Sequence, residues 1–194
     1  MIRNERLLHE VAGELRTADL LLFRGQSWIS RLIAVGGRSK YSHAAKVDRL
    51  GSELYCVECR ELKGGRIVTL ASQVANYAGL IDVFSANPEN KTGFDRAASA
   101  GYMRRFAGQD YGWLAVYRAA FQHLPVIRLV IDHDYELENG DRPGLPAFCS
   151  QACAMADHYG GGIDPVANLA DRFTLPGDLA RSSFYRYRWT LVGV

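Results

Sequence analysis

The chain has 194 residues, of which 48% are apolar and 23% charged, enough apolar material to close one core over a single domain, residues 1–194. A net charge of +2, from 23 basic and 21 acidic residues, does not suggest nucleic-acid binding; the nearest thing to a basic stripe with aromatics, Arg181 to Arg188, reads instead as a half-exposed strand. No run reaches the ~18 consecutive apolar residues of a membrane span, and no internal repeat or low-complexity tract appears.

The charged start, Met1 to Arg6, is followed by no apolar signal core. Leu7, Leu8, Val11 and Leu15 fall at helical spacing and predict an amphipathic helix. With no secretion signal read, the expected location is cytoplasmic or within a particle, and the four cysteines are expected as reduced thiols. Asp19 to Phe23 predicts a buried strand, and Ser27 to Val35 a short helix ended by Gly36-Gly37. Tyr41 to Val47 and Leu54 to Cys59 flank a glycine-containing turn and predict a β-hairpin. A strand over Arg66–Thr69, a helix over 71–78 and a strand over Leu80–Phe84 follow. Apolar spacing predicts helices over 94–107 and 111–123, while 124–141 is ambiguous and ends in the Pro143-Gly144-Leu145-Pro146 stop. Phe148 to Tyr159 predicts a helix closed by Gly160-Gly161-Gly162. Arg and Tyr alternate at period two near Arg186, and the chain ends in a predicted strand over Arg188–Val194. Consecutive hairpin-like strands favour an α+β class over a parallel sheet of βαβ units.

Cys149 stands where the predicted helix opens after a proline-rich loop. The first backbone N–H groups of a helix are unpaired and the dipole is positive there, which favours a thiolate and can also hold an oxyanion. His43 is the candidate base. With the hairpin turn centred between Leu50 and Gly51, His43 lies opposite Glu58, within reach of one imidazole nitrogen, leaving the other for a thiol. Each residue also has an ordinary structural reading: a core thiol, a satisfied strand histidine, a surface carboxylate.

Three segments sharpen that choice: Asp19-Leu20-Leu21-Leu22-Phe23-Arg24-Gly25, Ser39-Lys40-Tyr41-Ser42-His43-Ala44-Ala45 and Phe148-Cys149-Ser150-Gln151. In content and order they resemble the circularly permuted NlpC-type branch of papain-like cysteine hydrolases, the group that includes the lecithin:retinol acyltransferase-like proteins. Weaker matches are Gly108-Gln109-Asp110-Tyr111-Gly112 and Thr174 to Ser182. Departures are Ala18 where a glycine usually precedes the aspartate, Gly112 where an aspartate follows the tyrosine, and Gln151 in place of an acidic residue. The resemblance implies a papain-like permuted α+β fold, a small antiparallel sheet or half-barrel packed against helices. It also implies Cys149 as nucleophile, His43 as base and Glu58 as third member. A peptide or acyl substrate is expected, peptidoglycan peptides first and lipid acyl transfer or thioester cleavage second. A non-catalytic module of a larger assembly remains a separate class.

Trp28, Tyr41, Tyr111 and Trp113 are candidates to line a substrate groove, against an equal expectation that they are core aromatics. No cofactor and no metal are expected. Cys56 and Cys59 form a CxxC that could join Cys149 and Cys153 on zinc, but an offset of three in an extended run points the first two to opposite faces. His9, His123 and His158 have no matched partner in the sequence, and the acidic run 132–138 lacks EF-hand spacing.

Overall fold

The computed structural model describes residues 4–25, 38–61, 63–87, 92–110 and 147–193. The predicted helices over 27–35 and 111–123 and the segment 124–146 lie outside these residues, as do Trp28, Tyr111 and Trp113.

Along the chain run β1 (Glu5–Leu7), α1 (Leu8–Val11), β2 (Leu20–Arg24), β3 (His43–Leu50), β4 (Glu53–Arg60), β5 (Gly64–Thr69), α2 (Leu70–Asn76), β6 (Leu80–Ala86) and α3 (Arg96–Arg104). After the undescribed segment come α4 (Cys149–Met155), a π-helical turn (Ala156–Gly160), a 3-10 turn (Asp171–Phe173), α5 (Pro176–Arg181) and β7 (Tyr185–Val192). The class is α+β, with one seven-stranded sheet in the order β1-β7-β6-β2-β3-β4-β5. Every neighbouring pair is antiparallel except β1 with β7, which is parallel.

That parallel edge corrects the expectation of one N-terminal helix. Glu5 to Leu7 pair with Thr190 to Val192, using backbone groups that β7 would otherwise leave open. The helix shrinks to Leu8–Val11, yet Val11 and Leu15 still bury with Trp189 and Leu191. The apolar spacing marked the right side chains; a free strand edge took the backbone.

Strand alternation sends side chains into two cores. Leu20, Leu22, Ala44, Val57, Cys59 and Phe84 pack with α3, α4 and α5 on one side. Leu21, Phe23, Ala45, Val47, Cys56 and Val83 pack with α1 and α2 on the other. Cys56 and Cys59 thus fall on opposite faces, and all four cysteines are unpaired thiols. Small residues meet where α4 crosses the sheet: Ala152, Ala154 and Ala156 of the helical run and Ala44 of β3 are all fully buried. Little side-chain bulk separates the two backbones, which brings the start of the helix close to the start of β3.

The β3–β4 turn is one residue later than the sequence suggests. Leu50 pairs with Glu53, so the loop is Gly51-Ser52, and Gly51 takes φ +63° at the first loop position, where a two-residue hairpin calls for glycine. Glu58 therefore pairs with Ala45, not with His43. Moving the turn by one residue moves the partner by two, and a shift of two keeps the carboxylate on the same face.

Candidate active site

Position 43 is set by the end of β2. The Ser42 amide donates to the Phe23 carbonyl at 2.9 Å, and Ser42 Oγ accepts from the Gly25 amide at 3.0 Å. Phe23 pairs with His43, and their rings lie 5.0 Å apart between centroids. His43 opens β3 at the margin of the sheet. From that margin it touches Phe23, a member of one core, and Cys149, a member of the other.

Cys149 is the first residue of α4. Phe148 is its N-cap, and the Phe148 amide donates to Gln151 Oε1 at 3.4 Å. Gln151, a departure from the resemblance pattern, thus supplies the neutral acceptor that anchors the helix entrance. The first-turn N–H groups lack partners inside the helix and carry its positive end toward the sulfur.

His43 Nε2 lies 2.6 Å from Glu58 Oε2. Glu58 is buried, and its other oxygen accepts from Arg66 Nε at 2.7 Å and from a second Arg66 nitrogen. Arg66 in turn donates to Gln73 Oε1 at 3.1 Å. Burial alone would raise the Glu58 carboxyl, but the hydrogen bond and charge of His43, and then Arg66, outweigh it and hold the group at about 2. An ionised Glu58 can only accept, so Nε2 donates and Nδ1 is the nitrogen left over.

Nδ1 is buried and makes no conventional hydrogen bond. Burial pushes the imidazole down; the charge of Cys149, its hydrogen-bonding influence and then Glu58 push it up further, to about 10. Cys149 thus lies close enough to the ring to act on its charge, while Nδ1 forms no hydrogen bond with it. Burial holds Cys59 up at about 12 and raises Cys56 and Cys153 well above the usual thiol range.

Cys149, His43 and Glu58, all singled out from the sequence, are brought together. Tyr41 is buried and donates its hydroxyl to Asp82 Oδ2 at 2.6 Å, within a group that also holds Arg24 and Thr190. Sequence reasoning missed Arg66, although β5 pairs it directly with Glu58. It also missed a clamp between β3 and the helical run. Lys46 Nζ donates to both oxygens of Asp157 at 2.7 and 2.6 Å and to the Tyr185 hydroxyl at 2.8 Å, with Ser99 Oγ on Asp157 at 2.7 Å. A lysine inside the apolar stretch Ala44-Ala45-Lys46-Val47 was the available signal.

No family model and no curated protein matches the chain. Among solved structures it is similar to one described as the crystal structure of metalloprotein yiiX from Escherichia coli O157:H7, DUF1105. The TM-score is 0.60 at 14% identity, over 90% of this chain and 98% of that one. At that identity the likeness is one of fold. No helix among the described residues is long and apolar enough to cross a membrane.

Proposed function

We propose that the protein is a cysteine-dependent hydrolase that cleaves acyl bonds through a Cys149-His43-Glu58 triad. One observation carries the reading: a buried imidazole is fixed by an ionised carboxylate at Nε2, while its other nitrogen has no conventional partner and Cys149 lies beside the ring.

In this mechanism His43 Nδ1 takes the Cys149 proton and the thiolate attacks an amide or ester carbonyl. The developing oxyanion accepts from the Cys149 amide at the helix start. The imidazolium then protonates the leaving amine or alcohol, giving a thioester on Cys149. Water, giving its proton to Nδ1, adds to the thioester and releases the acid and the free thiol. Glu58 holds the ring and offsets its charge, and Arg66 holds Glu58.

Cell-wall peptides are the first substrate class to test, following the sequence resemblance. A lipid acyl ester or thioester is the second, from the same resemblance.

The test is iodoacetamide labelling at neutral pH followed by peptide mass mapping, beside muropeptide and ester turnover by the parent and Cys149→Ala. Cys149 labels first among the four thiols, and Cys149→Ala is inactive. Labelling of Cys56, Cys59 or Cys153 ahead of Cys149, or a Cys149 rate indifferent to His43→Ala, overturns the triad.

A further inference from the structure

A second group of ligating side chains gathers beyond the far end of the Cys149 helix. His158 lies in the π-helical turn, Asp164 in the loop after Gly162, and Asp171 opens the 3-10 turn. One ligand atom from each lies within 4.8 Å of the other two. His158 is nine residues beyond Cys149 along one helical run, roughly 13 Å at helical rise, so this group is separate from the thiol. It also corrects the expectation that His158 has no partner: His158 Nδ1 lies 3.1 Å from Asp171 Oδ2.

The independent sign of a missing ligand is Asp171. Its side chain is 7% exposed, and Oδ1 is buried with no hydrogen-bond partner. A buried carboxylate oxygen left unpaired is costly unless something positive meets it. Among the described residues no lysine or arginine pairs with Asp171 or Asp164; the nearby Asp157 already holds Lys46. Asp164 Oδ1 accepts from the Val166 amide at 2.8 Å, which orients that carboxylate and leaves its second oxygen available.

We propose that His158, Asp164 and Asp171 bind a first-row divalent metal ion of the zinc class. One imidazole and two carboxylates form a borderline donor set that suits zinc better than magnesium or calcium, which take oxygen alone. Ligand bonds near 2.1 Å in a tetrahedral site set donors about 3.4 Å apart, so the widest separation here, within 4.8 Å, has to close by roughly 1.4 Å at most when the ion binds. The ion ties the end of the Cys149 helical run to the segment from 163 to 173, and it takes no part in the thiol chemistry. The proposal does not rest on the hydrolase reading, and its test does not use turnover.

The full chain, stripped with a chelator, is titrated with Zn²⁺ while metal content and Tm are followed, and with Co²⁺ while its absorption is recorded. One equivalent binds, Tm rises, and the Co²⁺ spectrum lacks a thiolate charge-transfer band. Asp164→Asn keeps an acceptor for Val166 and weakens binding by about 100-fold or more, at or above the upper range for loss of a supporting group. His158→Gln has the same effect. A thiolate band, an Asp164→Asn variant that binds as tightly as the parent, or the absence of stoichiometric binding overturns the site.

Discussion

Two buried polar clusters join the same strand to the same helical run, and they differ in what they leave unfinished. Lys46 lies three residues beyond His43 on β3, and Asp157 lies eight beyond Cys149. At about 3.3 Å per strand residue and 1.5 Å per helical residue those intervals are roughly 10 and 12 Å, so one clamp follows the other along the seam. In the Lys46 cluster the ammonium meets Asp157, the Tyr185 hydroxyl and the Ala18 carbonyl, and no polar side-chain atom of Lys46, Asp157, Tyr185 or Ser99 is left without a partner. In the His43 cluster the Glu58 side is as well satisfied, but the ring ends in a buried nitrogen with no conventional bond. A complete buried network rigidifies; one left open at a single atom, beside a thiol, is what the proposed thiol chemistry calls for. On this comparison the first cluster holds the second in register.

The sharpest way to break that division is to remove each centre in turn. His43→Ala lowers turnover by roughly 10⁴-fold while leaving the protein folded, seen as an unchanged far-UV spectrum and a cooperative melt. Lys46→Met does the reverse. It strands the Asp157 charge in the core and costs about 3–5 kcal/mol in denaturant unfolding, while turnover per folded molecule falls far less than in His43→Ala. Comparable losses of activity per folded molecule in both variants would sink the comparison.

The pH dependence of stability separates the two members of the His43–Glu58 pair. The Glu58 carboxyl is lowered from 4.5 to about 2, so its contribution is present above pH 4.5 and is lost as pH falls toward 2. The His43 imidazole is raised from 6.5 to about 10, so its contribution is present below pH 6.5 and fades as pH climbs toward 10. Glu58→Gln flattens the acid limb of a Tm-against-pH curve, and His43→Ala flattens the alkaline limb.

The smallest expected effect lies at Ala18, whose carbonyl accepts from Lys46 and whose φ is +65°. Glycine is the usual residue at that place in the resemblance pattern, and a left-handed backbone explains why. Ala18→Gly relieves the strain and raises stability by about 1 kcal/mol, measured as a shift of the urea midpoint.

Much of the site was legible because its signals are local. A cysteine after a proline-rich loop and before apolar helical spacing marks a helix start, whatever the helix packs on. A histidine and a glutamate on the two arms of a short hairpin must share a face or oppose it, and the face survived an error of one residue in the turn. Arg66 was not found because it needed a second hairpin register, from β4 to β5, before it could be set beside Glu58. The N-terminal residues were misread because strand pairing is nonlocal: residues 5–7 pair with a strand more than 180 residues away.

Read alone, the sequence determined the α+β class and the alternation that sends Cys56 and Cys59 to opposite cores, and it singled out Cys149, His43 and Glu58 as candidates, which the fold brings near one another. These follow from periodicity, turn chemistry, the state of a helix terminus and a match of short motifs, all of which act over a few residues. Only the tertiary structure decided that the histidine ring meets both cores at the sheet margin, that Lys46 and Asp157 clamp the seam, and that His158, Asp164 and Asp171 converge. Those are meetings of side chains from distant elements, and their distances depend on how closely alanine-rich backbones approach when the sheet and the helices pack.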